Sequence, residues 1–284
     1  MRRREFLLGG GVVGTLGAVG VVTTLVGELE VRWWATPRAA QYEALRERVT
    51  GYLERGLDGL ALSVDVSHGG VVSVPTENAH RLVADGAWPR RLLTGGVGGT
   101  VDPATDVNLL VTDSSMRRSP TGAGIPYVAA VGGARHVARA PPATDVEDVV
   151  PDRFTFRTIQ ILVHECGHAL GLRHDHGTIR DDGAVAVVSP MVSGYAWADG
   201  PLRREQFDFD RNRCGRPYPS VRGREPRLRL GFDDCERHGV TRFRRPGLPT
   251  LPVGESAVDD LLALARSLPT CATCLDDGER SDQG

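Results

Sequence analysis

Residues 164–176 read HECGHALGLRHDH and place four of the chain's eight histidines within thirteen positions. On a helix, His164 and His168 stand one turn apart on one face, where both imidazoles reach a single metal ion. Glu165 lies beside them and can accept a proton from a water on that ion. Three neutral imidazole nitrogens and one water make the open tetrahedral arrangement of a catalytic zinc site, so a third protein ligand is required. Gly171 permits a left-handed turn that reverses the chain. His174 then follows where the returning chain can meet the ion, with His176 as its competitor for that place.

This chemistry demands a helix through 164–168, and the flanking sequence supplies one. Ile159, Leu162, Val163, Cys166 and Leu170 recur at three- and four-residue steps, which predicts a helix over 157–170 with one buried stripe. His164, Glu165 and His168 fall on the opposite side, and Gly171 ends the helix. Upstream, residues 37–56 predict a helix opened by Pro37, striped by Tyr42, Leu45, Val49 and Leu53, and closed by Gly56. The segments LALSVDVS (60–67) and GVVSV (70–74) alternate as strands do. DVNLLVTD (106–113) and GIPYVAAVGG (124–133) each suit a strand, separated from the preceding elements by the glycine-rich loop 94–105. Residues 201–212 carry one more candidate helix, 213–250 read as irregular, 256–267 as an amphipathic helix, and the last ten as an acidic tail.

The full spacing His164-Glu165-x-x-His168-x-x-Gly171-x-x-His174 resembles the long zinc signature of the metzincin metallopeptidases, with every fixed position present. The family also carries a methionine turn beneath its metal, and SPMVSGY (189–195) supplies Met191 at a suitable distance. Asp175, directly after the third histidine, resembles the adamalysin branch, and the short catalytic part resembles the matrixins. The resemblance implies one catalytic zinc ion held by His164, His168 and His174, with His176 at the rim or surface. It implies Glu165 as general base, Met191 packing below the site without bonding the metal, and a peptide substrate lying along an edge strand formed by 124–133. In astacins a tyrosine two residues after the methionine takes part in the reaction. Here Ser193 holds that place and Tyr195 comes two residues later, so Tyr195 is read as structural. The family's inhibitory pro-segment with a zinc-capping cysteine has no counterpart in the short stretch before the first helix.

Composition sets the setting. Net charge is −2, which gives no general case for a nucleic-acid partner, and all 34 basic residues are arginine. The start, Arg3-Arg4-Glu5-Phe6-Leu7-Leu8, resembles the twin-arginine export signal, and the uncharged Phe6–Val26 stretch that follows suits a signal peptide or an uncleaved membrane anchor. Outside the cytosol disulfides persist. Cys214–Cys235 is the preferred pair, Cys166 on the buried stripe is the odd thiol, and Cys271-x-x-Cys274 fits a tight disulfide, a redox pair or half a zinc site. FDFDRN (207–212) is acidic without a recognised calcium-loop spacing, so calcium is unsupported.

These readings together predict an α/β metzincin-like zincin fold: a mixed twisted sheet, a first helix, the active-site helix, and a small lower part after Gly171. The expected divisions are 1–27 as signal or anchor, 28–212 as catalytic domain, and 213–284 as an extension. The expected function is an exported zinc endopeptidase acting on protein or peptide. Two alternatives stand beside it: a non-catalytic surface zinc protein that binds peptides, and a zinc hydrolase of a non-peptide amide. The oligomeric state is not readable from the sequence.

Overall fold

The computed structural model describes residues 27–95, 101–114, 122–198 and 200–244, with the side chains of Leu202 and Glu205 excepted. The expected export segment, the helix at 256–267, Cys271, Cys274 and the acidic tail lie outside the described residues. Among the described residues, no helix is long and apolar enough to cross a membrane.

The fold is mixed α/β with two mixed sheets. Strand β1 (Glu28–Ala35), helix α1 (Leu45–Leu57) and strand β2 (Ser63–Val71) form a parallel crossover unit. Helices α2 (Ala79–Ala84) and α3 (Ala87–Gly95) then lead to β3 (Val107–Val111), which pairs parallel to β1 on its other side. Strands β4 (Gly122–Ile125) and β5 (Val128–Val131) complete the sheet in the order β2-β1-β3-β5-β4, with β4 alone antiparallel and at the edge.

The central strands are buried on both faces, so successive residues feed two cores. Leu29, Val31, Trp33, Leu109 and Val131 point to the larger core with α1, and Trp34, Leu110, Val128 and Ala130 to a smaller one with Trp88 and Leu82 of α3 and α2. GIPYVAAVGG is therefore two strands rather than one. Pro126 and Tyr127 turn the chain, Tyr127 in a left-handed conformation at φ 70°, and only the first half lies at the edge. Likewise LALSVDVS and GVVSV merge into β2, which ends at Val71.

After the short helix α4 (Ala134–Ala138) and strand β6 (Val149–Pro151), the long helix α5 (Phe154–Ala169) crosses beneath the first sheet. A hairpin of β7 (Ile179–Asp182) and β8 (Val185–Val188), helix α6 (Gly200–Gln206), strand β9 (Glu225–Arg229) and helix α7 (Asp234–Phe243) follow. The second sheet runs β6-β9-β8-β7, with β9 parallel to β8 and antiparallel to β6. Residues 213–250, read from sequence as irregular, thus carry an inner strand and a capped helix. Residues 225–243 complete the lower part of the fold.

Helix α5 is buried on every side from Thr158 to Ala169. The sequence stripe found the side facing the larger core. The opposite side, with His164 and Glu165, is also covered, by β4 over Glu165 and by Pro190, His174 and Tyr195 around His164. Gln160 shows the lower attachment, its amide donating to Val188 O at 3.2 Å and Arg229 O at 2.8 Å.

Candidate metal centre

His164 and His168 project from one face of α5, with ring centroids 4.6 Å apart. At the end of the helix Gly171 takes φ +77°, and Gly171 and Leu172 N–H return to His168 O and Gly167 O at 2.9 Å each. This left-handed ending satisfies the last carbonyls of α5 and reverses the chain. Gly171 is required twice over, because a Cβ there would also lie 2.3 Å from the Phe243 ring of α7. The reversal delivers His174 to within 5.2 Å of His164 and 5.0 Å of His168, centroid to centroid. One ring nitrogen from each of the three lies within 4.8 Å of those of the other two, and no other such group of three exists among the described residues.

The tautomers follow from the hydrogen bonds. His164 Nδ1 faces Pro190 O at 2.7 Å, His168 Nδ1 faces Leu172 O at 2.9 Å, and His174 Nδ1 faces Gln206 O at 2.9 Å. A carbonyl oxygen only accepts, so each Nδ1 carries the proton and each Nε2 presents a bare lone pair. All three Nε2 atoms are buried and have no hydrogen-bond partner. Three converging orphan acceptors are costly in an empty protein and are the donor set a zinc ion takes. Burial also keeps the rings neutral. It pushes His164 well below the ordinary imidazole range, aided by its two neighbours. Burial takes His168 down to about 4 and His174 down to about 3, against the opposing pull of the carbonyls. A metal ion taken up here would therefore displace no proton near neutrality.

Glu165 is fully buried beside these imidazoles. The edge strand approaches it closely. A Cβ on Gly122 would lie 2.4 Å from Glu165 Oε1, and one on Gly124 would lie 2.5 Å from Glu165 O and 2.6 Å from His168 Cβ. Sequence reasoning passed over these two glycines, although their alternation in GAG on a strand marks a face without side chains.

Met191 is buried against α5, where a Cβ on Gly167 would meet its Sδ at 2.5 Å. The turn holding it passes through Ser193, which adopts φ 46°. Tyr195 follows, its ring 4.8 Å from that of His174 and 6.1 Å from that of His164. Asp175 faces away from the three nitrogens. Both its carboxylate oxygens accept from Arg213 Nε at 2.9 Å, and Arg213 N–H donates to Asp175 O at 2.7 Å, which ties the ligand loop to the loop before Cys214. His176, expected at the rim or surface, is half-buried against α7. A Cβ on Gly239 would lie 2.6 Å from its ring, and its Nδ1 accepts from Arg173 N–H at 3.0 Å.

Cys214 and Cys235 form a disulfide, and Cys166 is a buried free thiol whose ionisation is suppressed by burial. Asp208 and Asp210 of FDFDRN join no cluster of three metal-ligating groups among the described residues. Phe207 of that segment is instead a core residue, its ring 4.7 Å from that of Tyr218.

No family model matches the sequence. No curated protein matches it either. Among solved structures, the crystal structure of archaemetzincin from Methanopyrus kandleri is similar at 15% identity, covering 80% of this chain and 98% of that one, with a TM-score of 0.36. With a likeness that remote, the chemistry of this chain is read from its own side chains.

Proposed function

We propose that the chain is a zinc-dependent endopeptidase of metzincin type, exported by the twin-arginine route and acting on protein or peptide. One observation carries the reading: three buried, neutral imidazoles converge their unpartnered Nε2 atoms, each ring fixed by a backbone carbonyl at Nδ1, with Glu165 buried beside them.

When bound there, zinc supplies Lewis acidity toward a carbonyl oxygen and lowers the pKa of water toward about 7. His164, His168 and His174 would hold the ion. Glu165 takes the proton of the attacking water and returns it to the departing amine, so its carboxylate cycles through one protonation per bond cleaved. Burial of Glu165 beside the imidazoles strengthens its charge interactions there. A structural zinc site needs no carboxylate in that position, which favours the catalytic reading over a surface protein that merely binds peptides.

The test is incubation of the zinc-loaded protein with unfolded casein, with and without a chelator. Cleavage that the chelator stops, and that Glu165→Gln abolishes while zinc stays bound, is expected. Zinc-loaded wild type that leaves casein and a peptide library intact would overturn the endopeptidase reading. Release of folded protein from cells, lost when Arg3 and Arg4 are both replaced by alanine, tests the export route.

A further inference from the structure

Glu236 is a carboxyl that neither the ligand set nor the proton transfer uses, yet it is fully buried on α7. Its Oε1 accepts from Ser189 Oγ and from Met191 N–H, both at 2.8 Å, and its Oε2 accepts from Asp233 N–H at 2.8 Å. Only the last of these is a local helix-capping bond. The other two reach across to the turn below the metal centre and grip the residues on either side of Pro190. Proline has no N–H of its own to anchor the turn. The carbonyl of Pro190 is the group that receives His164 Nδ1–H at 2.7 Å. Ser189 Oγ meanwhile accepts from Thr178 N–H at 2.8 Å, extending the same network to the strand that follows the ligand loop. Burying a carboxyl is expensive unless donors of this kind satisfy it, and helix capping alone does not require it, since Asp233 already accepts from Cys235 and Glu236 N–H.

We infer that Glu236 is a positioning residue for the tri-histidine centre, acting through the Ser189–Met191 turn to fix the carbonyl that orients His164. The inference rests on reading that centre as a zinc site. Removing the carboxyl leaves Met191 N–H and the Ser189 hydroxyl unsatisfied, and the turn relaxes away from its present position. The imidazole of His164 then loses its fixed tautomer and direction.

The experiment measures zinc affinity of the full chain by competition with a chromophoric chelator, alongside thermal unfolding of the zinc-free protein. Glu236→Ala is expected to weaken zinc binding by roughly tenfold or more, the usual cost of losing an outer hydrogen-bond partner. Glu236→Gln keeps a carbonyl oxygen for Ser189 and Met191 and is expected to restore most of the affinity. Val240→Ala, a cavity one helical turn further along the same helix, lowers stability and leaves zinc affinity within about twofold of wild type. Should Glu236→Ala fail to fold, Ser189→Ala removes one of the two turn contacts and reads the same quantity. Zinc affinity unchanged in Glu236→Ala or Ser189→Ala, or reduced as much by Val240→Ala, overturns the positioning role. Wild type that binds no zinc overturns the site reading itself, and the inference with it.

Discussion

Replacing Gly124 by alanine tests the contact on which the geometry of the centre depends. The new Cβ would stand 2.5 Å from Glu165 O and 2.6 Å from His168 Cβ. Carbon contacts settle at about 3.5–4.0 Å, so β4 must retreat from α5 by roughly 1 Å. Neither obstacle can rotate away, because one is helix backbone and the other the first carbon of a proposed ligand. Overpacking of this kind costs about 1–3 kcal/mol. For a domain of roughly 200 residues, each kcal/mol moves Tm by about 2–4 °C, which puts the expected fall at about 2–12 °C. A displacement of about 1 Å beside reacting groups lowers turnover on the order of a hundredfold. Gly51→Ala provides the contrast. Gly51 lies inside α1, and its added Cβ meets Ala143 Cβ at an acceptable 3.4 Å. The same chemical change there is expected to stabilise by about 0.5–1 kcal/mol through helix propensity and a less flexible unfolded chain. Differential scanning calorimetry of the zinc-free proteins checks both. If Gly124→Ala melts at or above the wild-type temperature, or the two variants shift in the same direction, the close approach of β4 to α5 is not as described.

Three further outcomes are expected. Gly171→Ala meets both a left-handed backbone and the Phe243 ring, so it should cost more than Gly124→Ala and lower zinc stoichiometry, as read by metal analysis after gel filtration. Replacing Cys214 and Cys235 together by serine opens a cross-link spanning 21 residues, worth about 3 kcal/mol by loop entropy, and frees Arg213 to let go of Asp175. Urea titration with and without the bond measures the first effect and chelator competition the second. The third concerns pH. Burial, with a contribution from Asp233, raises the Glu236 carboxyl to about 8. A raised folded pKa means that its stabilising contribution is complete below the unfolded value near 4.5 and is lost as pH rises through about 8. Wild type should therefore lose stability relative to Glu236→Gln between about pH 5 and 9, by at most about 5 kcal/mol. A stability difference that stays flat over that range would refute the shift.

The make-up of the three-histidine cluster was legible in the sequence, because it depends on local geometry. Four-residue spacing on a helix puts His164 and His168 on one face whatever surrounds them, and a glycine after the last turn permits the reversal that His174 needs. The preferred pairing of Cys214 with Cys235 is the one the fold makes. Other features were present but unread. Asp233-x-x-Glu236 is a helix-start signature, and it opens α7 within a stretch that looked irregular because arginine and proline obscure its short apolar pattern.

What only the tertiary structure decided is how the centre is held. The carbonyls of Pro190, Leu172 and Gln206 orient the three rings, and backbone oxygens carry no sequence signal. Burial of the His164 and Glu165 side of α5 was likewise invisible. An amphipathic stripe reports one apolar contact surface, whereas here polar side chains are enclosed by a glycine-bearing edge strand and by Pro190, His174 and Tyr195. The second sheet's inner strand, β9, arrives some 60 residues after the helix it contacts. Spacing along the chain fixed which imidazoles come together. Their direction, tautomer and dryness came from contacts between segments far apart in sequence, where local periodicity has no reach.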